Sequence, residues 1–375
     1  MIDKFRQWNK DRHQYAKDWK EKTGGKVMGY FCTYVPEELL YAANILPVRI
    51  LGSHEPQDVT EPHMFGMYCP FSRDCLAQGL KGRYDYLDGI MIAHSCLHIR
   101  QAYTSWDKHI PKDFSYYLPV PQNLQTPHST PYLANEYDVF KKALEEWIGH
   151  EITEEDMERG IQTMNENRSL LRDIYKLKER ENPPINGEET MQVAITQQLI
   201  DKKEHTELLK EYLQELKTTT QEYDSTRLML LGSENDDIEF VEMVENCGST
   251  VVIDEHCIGT RYFWNNVEEA EDQNQMTRIA KRYINKPPCP TKDWMDRNRV
   301  KHIVKLAQMY DVKGAILIQQ KFCDPHELDI PAVKKALQEI GIETLFLEFD
   351  VTVPIGQFKI RVEAFLEMID NDDLF

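Results

Sequence analysis

Cys69-Pro-Phe-Ser-Arg73 and Cys96-Leu-His-Ile-Arg100 share one spacing, a cysteine followed four residues later by an arginine. The second lies in IMIAHSCLHIR (90–100), which begins as buried-strand composition and turns abruptly into His94, Ser95, Cys96, His98 and Arg100. Cys323 closes a similar stretch, GAILIQQKFC, and Cys32 follows VMGYF. In open parallel sheets, sites form outside the carboxyl ends of strands. One cysteine is most simply a small buried hydrophobe, but that reading weakens when thiols recur at the same sheet edge. The chemistry these residue types suggest is thiolate ligation, with Cys96 as one ligand of an iron–sulfur cluster. If each cysteine opens a helical turn, the residue four further on shares its face. Arg73 and Arg100 would then hydrogen-bond the cluster and offset thiolate charge. In KFCDP, Asp324 is the expected N-cap and Pro325 the first helical residue. A helix N-terminus there would favour the Cys323 thiolate.

Other thiol chemistries are narrower. No close Cys-x2-Cys pair occurs, so ferredoxin-type and zinc-ribbon motifs are absent. A zinc site from Cys69, Cys75, Cys96 and His98 stays open, with irregular spacing. Cys75 otherwise packs on the helix after Cys69. Cys247 and Cys289 read as structural, and Cys257, in DEHCIGTR, has no second ligand nearby. His54, His94 and His98 read as hydrogen-bonding groups rather than ligands. Gly232-Ser233 follows a strand, but no GxGxxG or Walker pattern is present, so the chain is expected to bind no nucleotide directly.

These residues must be positioned by a large fold. A length of 375 residues implies two or three domains. An apolar content of 41% suits globular folding, and a net charge of −19 argues against nucleic acid and anionic membrane surfaces as partners. The N-terminal MIDKFRQWNKDRHQYAKDWKEK is a charged helical pattern without an apolar h-region, and no apolar run approaches a membrane span. A cytoplasmic location follows, with the eight cysteines as thiols, packing residues or ligands rather than disulfides. Strands are expected at 27–32, 47–51, 86–94 and 115–121, with Pro36 opening a helix whose Glu37 and Glu38 suit its positive end. A helix over 132–149 should stop at Gly149. From about 152 to 223 the pattern is helical, opened by a Thr153 capping box. Strands return at 227–233, 249–254, 314–320 and 343–350, separated by helices, and alternation of this kind implies parallel sheets covered on both faces. RYDYLDGIMIAHSC and MYDVKGAILIQQKFC echo each other. The expected fold is α/β: two Rossmann-like parallel-sheet domains, 1–150 and 226–375, joined by a helical segment, 151–225, with the cluster at the domain junction.

GYFCTYVPEELLYAANILPVRI, YCPFSR, YDYLDGIMIAHSC, KFCD and GQFKIRVEAFLEM, in order over nearly the whole chain, resemble the 2-hydroxyacyl-CoA dehydratase and benzoyl-CoA reductase superfamily. The resemblance implies one 4Fe–4S cluster per chain on Cys69, Cys96 and Cys323, with Cys32 and Thr33 near it and lining a substrate pocket. Where the family often has Asp after the second cysteine, this chain has Leu97. The implied partners are a homologous core subunit with its own cluster, ATP-hydrolysing activator subunits, a low-potential electron donor such as ferredoxin, and an acyl-CoA substrate. An electron injected at very low potential reaches the thioester carbonyl and forms a ketyl-type radical anion. Reductases then dearomatise the ring, whereas dehydratases expel hydroxide and recycle the electron. Three protein ligands leave one iron open to water or a substrate oxygen. The tenor of the sequence is most like a core subunit of an ATP-dependent benzoyl-CoA reductase. The alternatives are a dehydratase subunit, a cluster-bearing electron relay without a substrate site, and a homodimeric double-cubane reductase with twice the iron. Glu55, His54 and His94 are the candidate proton donors.

Overall fold

The computed structural model describes residues 1–220, 225–270, 272–293 and 296–372. Two helices, α1 (Ile2–Lys10) and α2 (Arg12–Thr23), precede the first α/β unit. That unit runs β1 (Val27–Phe31), α3 (Glu37–Ala42), β2 (Leu46–Arg49), α4 (Pro70–Leu80), β3 (Gly89–Ala93), α5 (Leu97–His109), β4 (Phe114–Leu118) and α6 (Ser129–Ile148). Three helices follow, α7 (Glu154–Leu177), α8 (Gly187–Thr196) and α9 (Lys202–Thr218). The second unit opens with β5 (Thr226–Gly232), α10 (Ile238–Asn246), β6 (Ser249–Glu255), α11 (Thr260–Phe263), α12 (Gln275–Asn285) and α13 (Asn298–Met309). It closes with β7 (Gly314–Gln320), α14 (Asp324–Gln338), β8 (Glu343–Phe349) and α15 (Ile355–Asp372).

The strands form two four-stranded parallel sheets, ordered β2-β1-β3-β4 and β6-β5-β7-β8. One order repeated twice explains why the two sequence halves echo each other. Phe31 pairs with Ile92 at the end of β1, and Gly232 with Ile318 at the end of β5. In each sheet the chain starts centrally, runs to one side and returns to the other, which leaves a crevice at the carboxyl ends of the two central strands. The central strands β1, β3 and β7 are buried throughout, as continuous apolar runs such as GIMIA require, and β5 is buried from Leu228 onward. Gly232 is obligatory: its φ is +127°, and a Cβ there would stand 2.1 Å from the Ile318 carbonyl. The tight exit lets the Ser233 N–H donate to that same carbonyl at 2.8 Å.

The middle helices are bolted to α3 by buried charge. Arg168 of α7 pairs with Glu38 at 2.6 Å, and Lys202 of α9 pairs with Glu37 at 3.2 Å. Glu37 also accepts from the Tyr262 hydroxyl of α11 at 2.5 Å. Glu37 and Glu38 are therefore interior anchors, 1% and 0% exposed, and not merely acidic residues facing a helix dipole. The Thr153 capping box with Asp156 forms, and Gly149 ends α6 in the left-handed region. Pro36 is the N-cap of α3 rather than its first helical residue. Helices α12 and α13, between β6 and β7, have no counterpart in the sequence expectations. Residues 221–224, the end of the expected helical segment, lie outside the described residues. No helix of the described residues is long and apolar enough to cross a membrane.

Candidate metal centre

Cys69, Cys96 and Cys323 each occupy the N-cap position of a helix, α4, α5 and α14 respectively. Non-helical backbone at these residues halts the preceding loop, and the helix then runs away from the thiol. All three line one cavity of about 80 Å³ between the carboxyl ends of the two sheets. Cys32 after β1, Cys257 after β6 and Cys289 line it too, so six of the eight cysteines share its wall. The positive end of each capped helix faces the space its N-cap thiol lines, an arrangement that favours anionic sulfur.

Burial opposes that preference and wins in the bare protein. It pushes the Cys69 thiol up to about 12, with the Cys96 charge adding to the effect. Burial likewise raises Cys96, assisted by Cys323, and raises Cys323, assisted by Cys69. The pull toward thiolate expected of a helix N-terminus at Cys323 is opposed by its burial, which raises the thiol.

Among the described residues, no three His, Cys, Asp or Glu side chains close tightly enough around one point to hold a single ion. The thiols stand around a space. The zinc set fares poorly on other grounds as well. Cys75 is fully buried with its sulfur 3.5 Å from the Ile50 carbonyl, and the His98 Nδ1 lone pair accepts the Cys69 N–H at 3.1 Å. His98 thus hydrogen-bonds, as read from the sequence, and its Nε2 stands 3.9 Å from Asp324. One imidazole in the turn after Cys96 thereby links the segments that carry Cys69 and Cys323.

The other singled-out residues scatter. Cys32 lines the cavity with a left-handed φ of +74°. Thr33 is buried and accepts from Lys286 Nζ at 2.9 Å. Glu55 is exposed and pairs with Arg83 at 2.6 Å. His94 is half-buried, 3.1 Å from the Gln122 amide. Arg73 donates to the Tyr68 carbonyl at 3.0 Å and to Asp350 at 3.2 Å. Arg100 is exposed. None of Glu55, His94, Arg73 and Arg100 lines the cavity. The arginines sit a full turn down their helices, whereas an N-cap side chain points back beyond the helix end. Leu97 is 51% exposed, so the departure from the family pattern faces solvent.

The sequence reading missed two polar groups on the cavity wall. Arg49, the last residue of β2, is 2% exposed, and its Nε and Nη1 have no hydrogen-bond partner. Glu234, just beyond the Gly232 turn, is buried with both carboxylate oxygens unpartnered. Burial, then the Asp236 charge, holds its carboxyl well above the ordinary range. A charged residue interrupting the apolar PVRIL was the available signal for Arg49. Glu234 follows a glycine turn whose sequence suggests a nucleotide loop and gives no sign of a buried carboxylate.

Two parallel sheets with matching order and a thiol-lined cavity at their facing switch points define the class: a two-unit α/β chain with six cysteines around one cavity. The chain belongs to the family described as 2-hydroxyglutaryl-CoA dehydratase, D-component, which matches residues 32–369. It is 27% identical to the (R)-phenyllactyl-CoA dehydratase beta subunit of Clostridium sporogenes, over 95% of each chain. It is 28% identical to one of the subunits of benzoyl-CoA reductase from Thauera aromatica, over 93% of this chain and 92% of that one. A third relative is the (R)-2-hydroxyglutaryl-CoA dehydratase beta subunit of Acidaminococcus fermentans, 26% identical over 98% of this chain and 99% of that one. Membership of this family makes the chain an enzyme subunit related to both reductases and dehydratases of acyl-CoA thioesters.

Proposed function

We propose that this chain is a cytoplasmic iron–sulfur core subunit of a low-potential, ATP-driven acyl-CoA reductase of the dearomatising benzoyl-CoA type, with a 4Fe–4S cluster on Cys69, Cys96 and Cys323. The observation that carries the reading is the placing of those three thiols as N-caps of three helices around one cavity. The relative from Thauera aromatica supports the reaction. When bound, the cluster supplies one-electron transfer and an iron position open to an oxygen ligand. The chain's own residues do the rest. Three thiolates hold the iron, and helix ends together with the buried Arg49 offset their charge. The apolar surroundings exclude water. Glu234, neutral in its buried setting, holds a proton at the cavity wall. A homologous core subunit, an ATP-hydrolysing activator and a ferredoxin-like donor complete the assembly under this reading.

One observation favours a second reading. Cys32, Cys257 and Cys289 line the same cavity and give this chain a second set of three thiols. A double-cubane centre held by all six would use them, in a homodimer acting on small molecules. Anaerobic purification with iron and acid-labile sulfide counted per chain separates the two. One cubane's content, lost in Cys69→Ala, Cys96→Ala and Cys323→Ala but kept in Cys257→Ala, supports the first. Twice that content, halved or lost when Cys257 or Cys289 is replaced, supports the second. Iron retained in all three of the first variants would sink both. Turnover of benzoyl-CoA against a 2-hydroxyacyl-CoA with the activator present then separates reductase from dehydratase.

A further inference from the structure

The three N-cap cysteines differ in what stands three residues on, at the first turn of each helix: Ser72, Ile99 and His326. Only the third offers a directional ring donor. His326 is buried, and its Nδ1 lies 3.4 Å from the Cys323 sulfur. On the far side of the ring, Nε2 lies 3.4 Å from Nη1 of Arg261. A guanidinium can only donate, so Nε2 must present its lone pair. Arg261 cannot turn away. Its Nη2 donates to the Gly232 carbonyl at 2.5 Å and its Nε lies 3.2 Å from Glu255. Glu255 is fully buried and also held by Arg299 at 2.5 Å, and Arg299 pairs in turn with Asp329.

We propose that His326 is a positioning residue whose Nδ1–H donates to the Cys323 sulfur, that Arg261 locks this tautomer, and that the bond raises the reduction potential of the centre held there. The inference rests on Cys323 being a cluster ligand. Because Nε2 presents its lone pair to the Arg261 guanidinium, the ring is neutral. A neutral ring has one proton. The other tautomer would set Nε2–H against a guanidinium N–H. It would also turn a lone pair toward an anionic sulfur. The Nδ1–H tautomer removes both conflicts. Donation to a ligating sulfur withdraws electron density from the cluster and makes the reduced state easier to reach. No equivalent donor stands behind Cys96, where Ile99 occupies the same offset.

The test uses the full chain and two readouts. In iron-free protein labelled with 15N-histidine, where Cys323 is a neutral thiol, the Arg261 contact alone is expected to give His326 a pyrrole-type Nδ1 and a pyridine-type Nε2; the reverse assignment overturns the lock by Arg261 and with it the proposal. In anaerobically purified holoprotein with iron counted, His326→Phe is expected to keep its iron and shift the midpoint potential to a more negative value. His326→Gln, whose amide still donates, should move it back toward wild type. Full iron with an unchanged potential in His326→Phe overturns the role in tuning. Absence of iron from wild type is a different result: it removes the cluster reading and with it the tuning role, and leaves the tautomer to be judged by its own spectrum.

Discussion

At the scale of single residues, the site is a contest between burial and charge, and two groups show opposite outcomes. Burial pushes the Cys69 thiol up to about 12. The folded chain therefore holds that proton more tightly than the unfolded one does. The resulting stabilisation is present below the ordinary thiol range and is lost as pH rises from there toward 12. In iron-free protein at pH 8, alkylation of Cys69 should be about a thousandfold slower than in urea. Peptide mass spectrometry after timed iodoacetamide exposure reads this directly, and equal rates would show the cavity open. His54 goes the other way. Burial pushes it down, but the Asp236 charge and a 2.7 Å hydrogen bond outweigh burial and raise it to about 10. This contribution is fully present below the unfolded imidazole value and fades as pH rises through 10. His54→Phe should cost about 2 kcal/mol at pH 7, between exposed and fully buried pairs. Urea titrations of both proteins should converge above pH 10.

At the scale of elements, what the sequence discloses depends on whether a feature is local. The central strands β1, β3, β5 and β7 are apolar runs ending in Gly, Cys or polar residues, and all four stand where the pattern places them. The Thr153 capping box is legible for the same reason, since its partners lie three residues apart. The Cys-x3-Arg spacing misleads because it assumes that the cysteine lies inside the helix. As an N-cap it points away from the face that Arg73 and Arg100 occupy. Cys257 and Cys289 come to the cavity through loops far apart in the chain, and no spacing rule foretells that. The seating of α7 on α3 is equally hidden, and it hangs on Gly160, where a Cβ would stand 2.2 Å from the Glu38 carbonyl. That neighbour is backbone and cannot swing aside. Gly160→Ala should cost about 2 kcal/mol through overpacking. Gly66→Ala, with open space and an ordinary φ, is the control and should leave the denaturation midpoint in place.

At the scale of the whole molecule, the two sheets face each other across the thiols, and buried hydrogen bonds cross beside them: Lys286 donates to Thr33 at 2.9 Å, the Cys289 N–H to the Tyr34 hydroxyl at 3.1 Å and Lys292 to the Pro121 carbonyl at 2.8 Å. Arg73 reaches Asp350 at 3.2 Å, His54 reaches Asp236 at 2.7 Å, and His98 stands 3.9 Å from Asp324. The first and third of these pairs each involve a substantially exposed carboxylate, and exposed pairs contribute little. A centre that takes Cys69 and Cys96 from one unit and Cys323 from the other would add a further tie at this edge. Ligands absent from the unfolded chain in the right geometry make binding energy into folding energy. Removing iron with a chelator under anaerobic conditions should then lower the thermal midpoint by about 5 °C or more. Cys323→Ala should begin near that lower midpoint and respond to the chelator hardly at all, because the tie between units is already cut. Gly160→Ala should still respond in full, since the α7–α3 contact and the cavity edge are separate sites whose effects add. A chelator-sensitive Cys323→Ala protein would mean that the metal is held within one unit, and the second sheet would then be a neighbour of the centre and not one of its walls.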